Sequence, residues 1–157
     1  MNEQAFNAGL DQLVGAPASR FVLHREPMLF LDRLTAIGPE HAECEWEVRE
    51  DFPLIIPGRG VPAYAGIEYM AQCVAVHSGA RAKVRGQEPP LGLLLGTRDY
   101  ECQIAFFEVG GRFSATCEEL VRDSQGMGSF ACRIETNGTV IAKANLAVFE
   151  TPEETDE

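Results

Sequence analysis

The stretch from Gly66 to Val84 is the one long helical signal in the chain, and it is too apolar for a surface helix. Ile67, Met70, Ala71, Val74 and Ala75 recur at helical spacing as a wide apolar stripe. Arg81, Lys83 and Arg85 ahead of Gly86 close the segment as a helix C-terminus prefers. Elsewhere the period changes. From His41 to Glu50, Ala42, Cys44, Trp46 and Val48 alternate with Glu43, Glu45, Glu47 and Arg49, which predicts a strand with one buried and one wet face. Met28–Ile37, Leu91–Phe107, Gly111–Arg122, Met127–Thr136 and Thr139–Phe149 read as further strands. Ser124-Gln125-Gly126 and the hairpin signal Asn137-Gly138 divide the last three. Phe6, Leu10, Leu13 and Val14 predict a short amphipathic helix over Asn2–Val14, stopped by Gly15-Ala16-Pro17. Pro53, Pro57, Gly58, Gly60 and Pro62 make Asp51–Tyr64 a shaped loop, and Gln87–Pro90 is a Pro-rich connection.

Runs of strands on either side of a single helix argue for an α+β fold and against parallel βαβ units. The architecture that fits is the hotdog, an antiparallel sheet wrapped around one long helix, which usually dimerises by joining sheets edge to edge. The 157 residues suit one domain, with residues 1–150 as the folded unit and 151–157 as an acidic disordered tail, and the acidic run Glu150–Glu157 is expected to be solvated. The net charge of -11 repels phosphate backbones and anionic lipid surfaces, so neither nucleic acid nor membrane insertion is expected. Five cysteines without a C-x-x-C pair suit a reducing compartment. With no signal peptide visible in Met1–Leu10, a cytoplasmic location is expected. The sequence holds no metal-ligand cluster, no phosphate-binding glycine loop and no nucleophile elbow.

Two motifs carry a family resemblance. His24-Arg25-Glu26-Pro27-Met28-Leu29-Phe30-Leu31-Asp32-Arg33 resembles the opening H-R-x-P run of the 3-hydroxyacyl-carrier-protein dehydratases. Ala65-Gly66-Ile67-Glu68-Tyr69-Met70-Ala71-Gln72 resembles their central-helix motif. Gly96-Thr97-Arg98 followed by Phe106-Phe107-Glu108-Val109-Gly110 is similar to their strand-and-turn pattern, so the likeness spans Phe21 to Phe149. Within the family the chain looks closest to the divergent branch found with aryl-polyene-type lipid pathways. The resemblance implies elimination of water from a 3-hydroxyacyl thioester carried on acyl carrier protein or coenzyme A, in fatty-acid or polyene-type synthesis. It implies no cofactor beyond the phosphopantetheine arm of the substrate. It also implies a homodimer, or a heterodimer with a related hotdog subunit.

That reaction needs a base for the α-proton, an acid for the departing hydroxyl and donors for the thioester oxygen. Glu68 matches the family's helix carboxylate, and its place in the first helical turn favours an anion. Gln72 lies one turn on along the same face, as a substrate contact or as helix-face polar packing. Tyr64, Gly66 and Ile67 flank the helix start and are candidates to line the acyl channel or approach the thioester. The family's loop histidine, its usual base, is missing: Pro53-Leu54-Ile55-Ile56-Pro57-Gly58-Arg59-Gly60 stands in its place. Of the three histidines, His41 is expected at an exposed strand start and His77 half a turn away from the Glu68 face. His24 is the candidate base, with a turn-shaping role as its alternative; a residue from a partner subunit is the other source. Arg81, Lys83 and Arg85 are either helix-end cations or a docking patch for an acidic carrier. A non-catalytic subunit that supports an active paralogue, and an acyl-thioesterase, are the competing functions.

Overall fold

The computed structural model describes residues 1–151. A short helix α1 (Glu3–Asp11) is capped by the Asn2 side chain, which accepts the Ala5 N–H. It is followed by strands β1 (Arg33–Ile37) and β2 (His41–Glu47), then a two-residue strand β3 (Val61–Pro62). Helix α2 occupies Gly66–Val84. Strands β4 (Gly92–Cys102), β5 (Phe106–Phe107), β6 (Arg112–Arg122), β7 (Met127–Thr136) and β8 (Thr139–Glu150) complete the order. The main sheet is antiparallel and runs β1-β2-β6-β7-β8-β4, while β3 and β5 pair separately.

The inward residues of the sheet meet α2 as the alternation requires. Ala42, Cys44 and Trp46 of β2 and Ala115 and Cys117 of β6 are buried, and α2 packs against β2, β4, β6, β7 and β8. Trp46 stacks on Tyr69 of the helix at 4.0 Å between ring centroids, and Phe107 meets Tyr69 edge-on. Helix α1 covers another side of α2. The central helix is therefore enclosed on most of its circumference, which explains why apolar residues surround it. Its one open face carries Glu68, Ala71 and Ala75. Gly79 lets the helix approach closely: a Cβ there would lie 1.7 Å from the Phe21 carbonyl oxygen. At the β7–β8 hairpin, Asn137 (φ 51°) and Gly138 (φ 77°) both take the left-handed conformation that a tight two-residue turn demands.

Several boundaries differ from the sequence reading: α1 ends at Asp11 rather than Val14, and β2 ends at Glu47 rather than Glu50. The strand expected over Met28–Ile37 begins only at Arg33, because Met28 and Phe30 bond to a helix side chain rather than to a neighbouring strand. The segment Leu91–Phe107 breaks at Cys102, since Phe106 and Phe107 turn away to pair with Pro62 and Val61. Glu150 is not a solvated tail residue. It ends β8, is 6% exposed, and accepts hydrogen bonds from Ser78 (2.5 Å) and Arg122 (3.3 Å). The tail beyond Thr151 lies outside the described residues. Strand β4 forms one edge of the sheet, and Leu91 just before it and Leu93, Leu94 and Leu95 within it are exposed.

Candidate active site

A single 3₁₀ turn (Ala63–Ala65) runs directly into α2, so the helical stretch starts earlier than the motif suggests. The Gly66 N–H bonds back to the carbonyls of Ala63 and Tyr64 and is not free for a thioester oxygen. Gly66 is glycine for a packing reason: a Cβ would meet the Tyr100 hydroxyl at 2.1 Å, and that hydroxyl donates to the Ala63 carbonyl at 2.5 Å. Burial of Tyr100 raises its phenol pKa, keeping the donor protonated.

Glu68 stands in the first turn of α2 with its side chain 40% exposed. Its Oε1 lies 3.9 Å from His24 Nε2, and the His24 side chain is 38% exposed. The two groups face the same opening without a direct hydrogen bond between them. The His24 Nδ1 atom is buried with no hydrogen-bond partner, which leaves Nε2 as the nitrogen presented to the opening.

Gln72 organises this pair. It is 1% exposed, and its Nε2 donates to Glu68 Oε1 at 2.9 Å and to the Met28 carbonyl at 2.8 Å. Its Oε1 accepts the Phe30 N–H at 2.8 Å. Both amide hydrogens are thus engaged by the protein, and one side chain links the carboxylate to the segment that follows His24. Asp32, next along that segment, accepts the Glu47 N–H at 2.9 Å and fixes it to the sheet.

From Glu68 and His24 a groove of about 160 Å³ runs along α2 past Ala71 and Ala75 to Ser78 and Glu150. Its outer wall is made by Leu93 and Leu94 of β4 and by Pro89 and Pro90 ahead of it. Tyr64, Gly66 and Ile67 do not line it. Tyr64 is 65% exposed beyond the helix start, and Ile67 packs against the core.

The other histidines are accounted for. His41 is exposed at the start of β2. His77 is fully buried, with Nε2 3.2 Å and 3.1 Å from the carbonyls of Gly38 and Pro39. Burial, aided by the Arg81 charge, lowers its pKa to about 4, so it is a neutral structural group. Arg81 turns inward, donating to the Pro39 carbonyl and lying 3.9 Å from Glu119, while Arg85 stacks over Phe6. Sequence reasoning singled out Glu68, His24 and Gln72, which the fold brings together. It passed over Ser78 and placed Glu150 in the acidic tail, and only the tertiary fold joins the two.

Among the described residues no cluster of histidine, cysteine or carboxylate side chains could hold a metal ion. No described helix is long and apolar enough to cross a membrane.

Comparison with known proteins decides the family. The model of the ApeP-like dehydratases matches residues 16–157. The chain belongs to the ApeP-like dehydratase family. A solved structure of the dehydratase heterocomplex ApeI:P from Xenorhabdus doucetiae superimposes on this ApeP-like chain with a TM-score of 0.81. The pair are 30% identical over 87% of this chain and 92% of that one. More remote likenesses, which bear on the fold alone, include a hypothetical thioesterase with coenzyme A from Streptococcus pneumoniae TIGR4. That structure has a TM-score of 0.61 and 10% identity, over 78% of this chain and 88% of that one. Another is AziG from S. sahachiroi, with a TM-score of 0.56 and 14% identity over 77% and 91% of the two chains. No curated protein matches. The ApeP-like chain therefore has the hotdog fold, α+β with one large antiparallel sheet around a long helix, and is a dehydratase-like protein.

Proposed function

We propose that this protein removes water from 3-hydroxyacyl thioesters, carried on acyl carrier protein or coenzyme A, to give trans-2-enoyl thioesters. The observation that carries the proposal is the 3.9 Å approach of His24 Nε2 to Glu68 Oε1 at the mouth of a largely apolar groove. In the elimination, His24 Nε2 accepts the α-proton as the C2–C3 double bond forms. The C3–O bond breaks, and the hydroxyl leaves as water with a proton from the Glu68 carboxyl. Transfer of the proton from His24 to Glu68 restores both groups. Gln72 holds the carboxylate in place through its Nε2 and touches no reacting atom. No organic or metal cofactor enters this scheme; the pantetheine thioester belongs to the substrate.

The test is Glu68→Gln assayed on a 3-hydroxyacyl thioester, with enoyl absorbance as the readout and circular dichroism as the control for folding. Loss of enoyl formation by at least about a hundredfold in a folded variant supports the assignment. Unchanged turnover removes it. His24→Asn tests the base in the same assay.

A second reading has its own support. The similar structure is a heterocomplex, the loop histidine is replaced by isoleucines, and the leucine-bearing edge of β4 borders the groove. In that reading the edge pairs with a related hotdog subunit that brings the base to Glu68. A chain inactive alone, yet contributing Glu68-dependent turnover once a partner hotdog subunit is added, decides for it. Hydrolysis is separated from both by free-thiol release from acyl-CoA.

A further inference from the structure

The groove has a defined end, and that end is charged. Nearly three helical turns beyond Glu68 the same face of α2 presents Ser78, whose hydroxyl donates to Glu150 Oε1 at 2.5 Å. Glu150 Oε2 accepts from Arg122 Nη1 at 3.3 Å, and Arg122 is held in turn by Glu119. Ser78 and Glu150 are each 6% exposed and both line the groove. Between the two ends the helix side of the wall is built from small residues, Ala71 and Ala75, opposite Leu93 and Leu94.

From this arrangement we infer that Ser78 and Glu150 form the stop of an acyl-length gauge, which admits a short hydrocarbon tail and rejects a longer one. The inference rests on the proposed thioester substrate and adds the class of acyl group that fits. An apolar tail gains affinity as each methylene leaves water, roughly fourfold per carbon. At Ser78 the gain ends, because the next carbon must displace a hydrogen-bonded carboxylate from its hydroxyl and guanidinium partners. The volume of about 160 Å³ sets where this happens. A cavity of that size, counted from its mouth at Glu68 and His24, holds a group no larger than benzene, so long tails do not fit. Ala71 and Ala75 are the positions where a larger side chain would move the stop nearer the mouth.

The experiment is a titration of the full-length protein with saturated straight-chain acyl-CoA thioesters, from about four to about twelve carbons, read by calorimetry. Binding is measured, so the result does not depend on turnover. In the parent protein affinity rises about fourfold per methylene and then stops rising within the series, short of twelve carbons. In Ala75→Leu, which fills open space and leaves the polar stop intact, the break moves to shorter chains. In Glu150→Ala it moves to longer chains; should that variant fail to fold, Ala75→Leu alone carries the test. Affinity that climbs without a break to twelve carbons, or a break that Ala75→Leu leaves in place, overturns the gauge while keeping the thioester reading. A protein that binds none of these thioesters overturns both.

Discussion

Replacing Gln72 by leucine probes the connection between the helix and the His24 segment. The two side chains are similar in size, so the change removes three hydrogen bonds without opening a large cavity. The Phe30 N–H loses its partner in a site where Phe30 is 5% exposed, and a buried donor left unpaired costs about 1–3 kcal/mol. The Met28 carbonyl lies nearer the surface and recovers part of its loss through water, adding about 1 kcal/mol. Together these amount to about 2–4 kcal/mol, which for a domain of this size lowers Tm by about 5–12 °C. The assay is thermal unfolding followed by circular dichroism, with acyl-CoA titration alongside. Gln72 also positions Glu68, so a folded Gln72→Leu protein loses turnover while retaining acyl-CoA affinity. A Tm within a degree of the parent, together with unchanged turnover, would refute the idea that this amide organises the site.

Three further outcomes follow from the buried groups. His77 has a pKa of about 4 in the fold against an ordinary value near 6.5, because burial disfavours its charged form. Between these values the unfolded chain binds more protons, so stability falls as pH drops from about 6.5 to 4, by up to about 3 kcal/mol; His77→Gln flattens that slope in denaturant titrations. Hydrogen bonding among neighbouring thiols and then burial hold Cys73 and Cys117 well above the usual thiol range, and burial does so for Cys132, so a thiol reagent at pH 8 labels at most Cys102 in the native protein and all five in denaturant. Gly79→Ala drives a methyl into the Phe21 carbonyl and destabilises the fold by about 3 kcal/mol, measured as a lowered urea midpoint.

The elements of this fold were legible where one period dominates. The helix over Gly66–Val84 and the strand Met127–Thr136 have the bounds that their patterns predict. The boundaries that moved did so through long-range partners. Gln72 holds Met28 and Phe30 out of β1, and pairing with β3 turns Phe106 and Phe107 away from β4. The candidate pair was legible only through motif resemblance, since Glu68 by itself is an ordinary first-turn acid. Glu150 was misread because its sequence neighbours are acidic, while its surroundings come from residues at positions 78 and 122, far along the chain. The engagement of both Gln72 amide hydrogens had no sequence signature at all.

The proposed chemistry requires Glu68 and His24 to act on one 3-hydroxyacyl thioester at the groove mouth. It is tested most directly by the enoyl absorbance formed from such a substrate by the purified protein and by its Glu68→Gln and His24→Asn variants. The expected result is enoyl formation by the parent and a loss of about a hundredfold or more in each folded variant. Parent-level turnover in both variants would contradict it.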